Sequence, residues 1–482
     1  MAQLTDIVKA YDVRGIVGDQ FDEDTAWALG AAFAEEVASG PGTSRVVIGY
    51  DMRPSSPSLS GAFARGAASR GLDVVVIGLC STDGLYYASG ALGAPGAMFT
   101  ASHNPAAYNG IKMCRSGARP IGQDTGLSRI RDRAQELLDT KAWQLDGGQP
   151  DGGRPRTGSV EEQDLLRGYA GHLRGLVDLS AIRPLKIVVD AGNGMGGLTT
   201  PAVLGTRAGL PALPLTIVPL YFELDGTFPN HEANPLDPAN LRDLQAAVVA
   251  EGADLGLAFD GDADRCFVID ERGEPVSPSA ITALVARREI AKEVTAGREA
   301  TVIHNLISSR AVAEVITEAG GIPVRTRVGH SFIKAEMAAN DAVFGGEHSA
   351  HYYFRDFWFA DTGMLAAMHL LAALGEQPAP LSGFASEYER YVSSGEINSR
   401  VTDVAAATER VAAAFAGRAG TEVDRLDGLS VVHAGNDGSG PMWWFNLRPS
   451  NTEPLLRLNA EAADAQTMAA LRDEVLALVR AS

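Results

Sequence analysis

Short, nearly continuous apolar runs alternate along this chain with segments of helical character. "RVVIGYD" (45–51) is followed by a small-residue helical stretch from Ser58 to Arg70, then by "DVVVIG" (73–78), a second helical stretch and "GAMFTAS" (96–102). Apolar runs of this length bounded by turn residues read as strands buried on both faces, and their alternation with helices predicts βαβ units around a largely parallel sheet. The same order recurs. A second copy opens with "KIVVDAGNG" (186–194) and passes through "LTIVPL" (215–220) to "DLGLAFD" (254–260). A third runs from "ATVIHNL" (300–306) through "IPVRTR" (322–327) to "AVFGGEHS" (342–349). Beyond it the pattern changes to a helix, strands around "WWFNLRPS" (443–450) and a closing helix across 465–480, which predicts a smaller α+β unit.

Each copy sets a polar, chemically able residue just past its third strand: Ser102 in the first, Asp260 in the second, Glu347 in the third. Ligands of open α/β sheets bind outside the carboxyl ends of strands, so the three loops are expected to face one cleft. Two polar, Gly/Pro-rich stretches, "DGGQPDGGRPRTG" (146–158) and "GEQPAPLSG" (375–383), read as linkers. At 482 residues and 45 % hydrophobic content the chain can bury three or four cores.

Charge narrows the partners. A formal net charge of -19 argues against nucleic acid and anionic lipid, both of which favour basic faces. An anionic substrate must then be met by a local basic pocket. The three cysteines, Cys80, Cys114 and Cys266, offer neither a disulfide framework nor zinc spacing and suit a reducing compartment. "MAQLTDIVKAYDVRG" carries Asp6 and Lys9 where a signal peptide needs its apolar core, and no apolar run reaches the roughly eighteen residues of a spanning helix. The expectation is a soluble cytoplasmic protein with no membrane partner.

Four loops carry candidate chemistry. In "AFDGDADRCFVID" Asp260, Asp262 and Asp264 alternate with small residues, giving three hard oxygen ligands within one turn, a set suited to Mg²⁺. A calcium EF-hand is excluded because Arg265 stands where that loop needs glycine; the remaining alternative is a solvated acidic turn. The G-x-G-x-x-G of Gly192, Gly194 and Gly197 suggests a dinucleotide site, yet residues 198–222 contain no acid for a ribose hydroxyl, so a structural glycine turn is the better reading. "RPSNTEPLLR" groups Arg448, Ser450, Asn451 and Thr452, the donor set of a phosphate clamp or of an ordinary polar turn. "GGEHSAHYYF" supplies Glu347 and Ser349 for sugar hydroxyls and His351 for proton transfer; packing or surface histidines are the alternative there.

With a metal loop, a phosphate loop and a polyol loop, "TASHNPAAYNGIK" (100–112) becomes more than an Asn/Pro turn. Ser102 is then a candidate phosphoryl carrier. The acidic loop could hold a metal against a phosphate on Ser102, Arg265, Arg14 and Lys112 would add positive charge, and His103, Asn104 and Pro105 would shape the turn.

Together, "YDVRG" (11–15), "TASHNPAAYNGIK", "DGDADR" (260–265), "GEHSAH" (346–351) and "RPSNTEP" (448–454) resemble the α-D-phosphohexomutase family, most of all its bacterial phosphomannomutase/phosphoglucomutase branch. The resemblance covers essentially the whole chain with the motifs in family order. It implies an α/β protein of four domains around a central cleft: three related α/β domains with mixed, mostly parallel sheets, and a C-terminal α+β TBP-like domain. The implied divisions are a phosphoserine domain over 1–150, a metal domain over 157–271, a sugar-recognition domain over 272–376 and a phosphate-binding domain over 381–482.

Position by position, the resemblance puts the phosphoserine on Ser102 and the Mg²⁺ on Asp260, Asp262 and Asp264 with Ser102. It puts Arg14, Lys112, Arg265 and His351 among the catalytic residues. Substrate contacts fall on Tyr11, His103, His330, Glu347, Ser349, Arg448, Ser450, Asn451 and Thr452. Two positions depart from the family pattern, Ile307 where many relatives carry Lys, and Ala350 in place of a loop glycine, and both bear on sugar preference. The implied reaction interconverts hexose 1-phosphate and hexose 6-phosphate through a hexose 1,6-bisphosphate that also serves as activator. Mannose is the expected sugar, with glucose accepted. Glucosamine phosphate turnover and non-catalytic Mg²⁺-dependent sugar-phosphate binding are the alternatives. Sugar phosphates are the expected partners, and a monomer or weak homo-oligomer the expected state.

Overall fold

The computed structural model describes residues 3–40, 42–141, 157–435, 440–449 and 455–481. They form two compact units, Met1–Val276 with Ser349–Ser382, and Ser277–His348 with Gly383–Ser482. The apolar runs become strands as the pattern predicts. In the first unit Arg45–Tyr50 lies between Asp73–Leu79 and Gly96–Phe99, all parallel. Leu185–Asp190 likewise lies between Leu215–Leu220 and Leu255–Phe259. In the second unit Thr301–Asn305 lies between Ile322–Thr326 and Phe344–Gly346. All three copies therefore share one order, third strand, first strand, second strand, which brings the loops after the third strands to equivalent places in their sheets.

The sheets are mixed because antiparallel strands flank the parallel cores. Tyr108–Arg115 pairs antiparallel with Gly96–Phe99 and with Val13–Ile16. Cys266–Asp270 folds back on Leu255–Phe259, so the acidic loop is the tip of a hairpin. Val160–Glu162 adds to the first sheet, parallel to Asp73–Leu79. Residues 160–162, inside the range expected for the second domain, thus pair within the first sheet. The reason is hydrogen bonding: the edge of Asp73–Leu79 offers unpaired backbone groups, and the incoming chain satisfies them. The linker expected over 146–158 lies mostly outside the described residues. The other meets Gly375 at the end of one helix and Leu381–Ala385 as a short second one.

Helix Gly363–Gly375 is apolar on every side, and all its positions are buried, as a helix with no polar face must be. In the second unit the C-terminal sheet is antiparallel throughout, ordered Val392–Arg400, Leu455–Ala462, Trp443–Pro449, Leu429–His433, Thr421–Asp424. Helices Val404–Phe415 and Ala465–Arg480 close its core around Phe415 and Phe445, whose rings meet edge to face with centroids 4.9 Å apart. Cys80, Cys114 and Cys266 are buried and form no disulfide among the described residues. No helix among the described residues is long and apolar enough to cross a membrane.

Candidate active site

The strand Gly96–Phe99 ends before the loop that opens with Thr100. Ser102 takes φ +50°, a left-handed conformation that costs an L-residue roughly 1–2 kcal/mol, and its N–H donates to Thr100 Oγ1 at 2.9 Å. Arg14 reaches across from Val13–Ile16: its Nη1 donates to the Ala101 carbonyl at 2.9 Å and to Asn104 Oδ1, while its Nε pairs with Asp12 at 2.8 Å. Lys112 stands on the paired strand Tyr108–Arg115. Tyr11 lies half-buried at the bend before Val13–Ile16.

The acidic hairpin tip meets this loop directly. Ser102 Oγ donates to Asp260 Oδ2 at 2.9 Å, and the same carboxylate oxygen accepts Arg265 Nε at 3.0 Å and Nη2 at 2.7 Å. Gly261 allows the approach: a Cβ there would lie 2.4 Å from the Ser102 carbonyl oxygen. Lys112 Nζ bridges Asp262 Oδ2 at 2.7 Å and Asp264 Oδ2 at 2.5 Å. Thr82 Oγ1 also donates to Asp262 Oδ2, at 2.6 Å. The opposite oxygens, Asp262 Oδ1 and Asp264 Oδ1, are buried with no hydrogen bond.

Carboxylate oxygens of all three aspartates lie within 4.8 Å of one another. Buried carboxylate oxygens without donors are costly, and a hard divalent cation is the group that would satisfy them, so the residues present fit Mg²⁺.

Burial raises the Asp260 pKa to about 7 against the pull of Arg265. For Asp262 burial works in the same direction, but the Lys112 ammonium overrides it and the pKa is lowered. Lys112, which burial alone would neutralise, is held charged by Asp262 and Asp264. His103 is pushed down to about 2 by burial and then by Arg265 and Arg14. Its neutral ring presents a lone pair: Nδ1 faces Arg265 Nη2 at 2.6 Å, so that nitrogen accepts.

The first unit also brings in His351 and Ser349. His351 pairs through its backbone with Arg265, its Nε2 lies 3.7 Å from Asp264 Oδ1, and its Nδ1 is 3.1 Å from Ser349 Oγ. Within the second unit, Glu347 is buried past Phe344–Gly346, and its Oε1 accepts from Asn305 Nδ2 and the Gly329 N–H, each at 3.3 Å. His330 opens helix His330–Ala339. Arg448 lies on Trp443–Pro449 with Nη2 3.9 Å from Glu396, and its buried Nε has no hydrogen bond. Ser450, Asn451 and Thr452 lie outside the described residues. Ile307 and Ala350 are buried, Ala350 at φ +64°.

Sequence reasoning missed Thr82, which grips an acidic-loop carboxylate 180 positions away. It also missed Asp361, whose carboxylate groups with Asp264 and His351, and Asp83. Burial raises the Asp83 pKa to about 6, although Tyr169 OH at 2.7 Å and Thr362 Oγ1 at 2.6 Å both donate to it. The available signal was "CSTDG" (80–84), a capping sequence at the carboxyl end of the strand Asp73–Leu79, where ligand groups gather.

Family models for the phosphoglucomutase/phosphomannomutase alpha/beta/alpha domains I, II and III match residues 5–140, 167–273 and 277–391, and that for the C-terminal domain matches 396–478. A phosphomannomutase of Salmonella typhimurium is 40 % identical over 484 residues, covering 99 % of this chain and 100 % of the relative. Phosphohexose mutases of Xanthomonas campestris are 40 % identical, covering 98 % of each chain. A crystal structure of a phosphoglucomutase/phosphomannomutase family protein from Burkholderia thailandensis superposes with a TM-score of 0.84 at 32 % identity, covering 100 % of this chain and 98 % of that one. This chain belongs to the phosphoglucomutase/phosphomannomutase family. It is an isomerase of the phosphohexomutase class.

Proposed function

We propose that the chain interconverts hexose 1-phosphate and hexose 6-phosphate, with mannose the preferred sugar and glucose accepted, through a phosphorylated Ser102 and a hexose 1,6-bisphosphate. The observation that carries this reading is the Ser102 hydroxyl 2.9 Å from Asp260, beside two buried carboxylate oxygens without donors and the Lys112 ammonium. Mg²⁺ held by Asp260, Asp262 and Asp264 supplies positive charge against the transferring phosphoryl group. Arg265 holds Asp260 and Ser102 together, and Lys112 orients Asp262 and Asp264.

In the first half-reaction the P–O bond to Ser102 breaks and one to the free sugar hydroxyl forms. The hydroxyl proton passes to His351 Nε2, whose other nitrogen faces Ser349. The bisphosphate turns around, and its other phosphate returns to Ser102 Oγ while His351 gives the proton back. Glu347 and Ser349 read ring hydroxyls at carbons 3 and 4, which mannose and glucose share. Arg448, Ser450, Asn451 and Thr452 hold the phosphate that is not transferring, His330 and Tyr11 complete the sugar contacts, and neutral His103 backs Arg265. The functional divisions proposed are those of the sequence reading, 1–150, 157–271, 272–376 and 381–482.

Parallel assays on mannose, glucose and glucosamine 1-phosphates, with peptide mapping for phosphate, test the proposal. Turnover of the first two with phosphate on Ser102 is expected. Preference for glucosamine 1-phosphate, or phosphate found only elsewhere, would reject it.

A further inference from the structure

Arg53 follows the strand Arg45–Tyr50 and is wholly buried, without a place among the residues that face the reacting groups. Its guanidinium is turned into the arc of residues 102–108. Nη2 donates to the carbonyls of Ser102 at 2.9 Å and Asn104 at 2.7 Å; Nη1 donates to those of Pro105 and Tyr108, both at 2.9 Å. Nε lies 3.2 Å from Asp51 Oδ2. The four Nη hydrogen bonds thus all go to one short stretch of backbone, while Nε, close to Asp51 as an ion pair, makes no hydrogen bond.

The anchor is itself fixed. Asp51 accepts from the Arg53 N–H at 3.0 Å and from Ser56 Oγ at 2.6 Å, and Asn109 Nδ2 donates to Ser56 Oγ at 2.9 Å. Asp51 N–H donates to the Phe99 carbonyl, which ties this network to the strand that delivers Ser102. The Phe228 ring covers the guanidinium at 5.1 Å.

A chain held at φ +50° at Ser102 returns to the ordinary regions unless its surroundings over-determine it. Arg14 fixes the loop through Ala101 and the Asn104 side chain; only Arg53 binds the Ser102 carbonyl itself among these two. We infer that Arg53 is a positioning residue for phosphoryl transfer: its fork holds the backbone of residues 102–108 so that Ser102 Oγ points at the acidic loop. This rests on Ser102 being the phosphoryl carrier. A lysine keeps the charge beside Asp51 but cannot span four carbonyls, because its donors radiate from one atom.

The test compares Arg53→Lys, the charge-neutral pair Asp51→Asn with Arg53→Gln, and Ser102→Ala as a control. In folded Arg53→Lys, kcat and the single-turnover rate of loading phosphate from a hexose 1,6-bisphosphate should fall about 100-fold, the scale of an ångström-sized misplacement. KM for the hexose 1-phosphate should stay within about threefold, since Arg53 touches no substrate. The rise in melting temperature caused by Mg²⁺ should be kept. The double variant should show the same split between kcat and KM. Equal losses in kcat and in substrate binding, an unchanged loading rate, or global unfolding of both variants would overturn the inference, the last because it would make Arg53 a core residue only. Full activity in Ser102→Ala would instead remove the reading beneath it, and inactivity there with normal Arg53→Lys would remove this inference alone.

Discussion

The surroundings of the acidic loop and those of Glu347 solve opposite problems. Around Asp260, Asp262 and Asp264 the chain buries carboxylates against Lys112 and Arg265 and leaves two oxygens without donors. Around Glu347 it buries one carboxylate whose Oε1 accepts from Asn305 Nδ2 and the Gly329 N–H. Under the proposed reaction, the first arrangement concentrates charge where charge develops during transfer. The second gives a carboxylate its direction, because hydrogen bonds from the Asn305 amide and the Gly329 N–H orient the acceptor. Rate is expected to depend on the first region, and sugar recognition on the second.

Ser102→Ala should break the comparison most completely, with kcat lower by on the order of 10⁴-fold or more, since no other group replaces a nucleophile. Turnover assays and intact mass check it. Asp262→Ala should lower kcat by about 10³-fold, the scale of a charge-stabilising group, and should abolish the Mg²⁺-induced rise in melting temperature. EDTA should reproduce the kinetic loss in the unaltered protein. An active chelated enzyme would reverse the assignment of charge to this side.

Glu347→Ala should cost less and cost differently. A lost hydrogen bond to a charged group is worth about 1.5–3 kcal/mol, so kcat/KM should fall by a similar factor for mannose and glucose 1-phosphates. A loss confined to one sugar would show that this region discriminates rather than only orients.

The smallest effect is on pH dependence. His103 has a folded pKa of about 2 against an ordinary 6.5, so it contributes stability that is complete above 6.5 and is lost as pH falls from there toward 2. Asp260, with its pKa raised from 3.8 to about 7, acts with the opposite sign, its contribution being complete below 3.8 and lost as pH rises through 7. Melting temperatures at pH 7.5 and pH 5 in His103→Gln and the unaltered chain isolate the His103 part, which should be smaller in the variant.

Backbone order was the most readable layer. "DLGLAFD" and the closing helix across 465–480 fall on the observed elements, the first because a strand buried on both faces must be continuously apolar. The expected strand "GAMFTAS" ends at Phe99 instead, since Ser102 turns left-handed to meet Asp260. The acidic loop was readable for a similar local reason: its three aspartates are neighbours in sequence. Thr82, Asp83 and Arg53 were not, because each acts through a partner that only the fold brings near. Thr82 bonds Asp262 and Asp83 bonds Thr362, pairings that no periodicity encodes. Arg53 uses backbone carbonyls, which carry no signature at all in the amino-acid order.

The first compact unit is discontinuous: the chain leaves it at Val276 and re-enters at Ser349. Thr362, which donates to Asp83, and Gly363, packed on the backbone of Arg265, both lie on the returning segment. A ribosome adding about 5–20 residues per second therefore exposes the acidic hairpin for on the order of 10 s before the residues that cover it exist. Translation speed between Val276 and Ser382 thus becomes a determinant of folding yield. Slowing synthesis there should raise chaperone dependence and aggregation more than an equal delay after Ser382, because by then every segment of the first unit has been made.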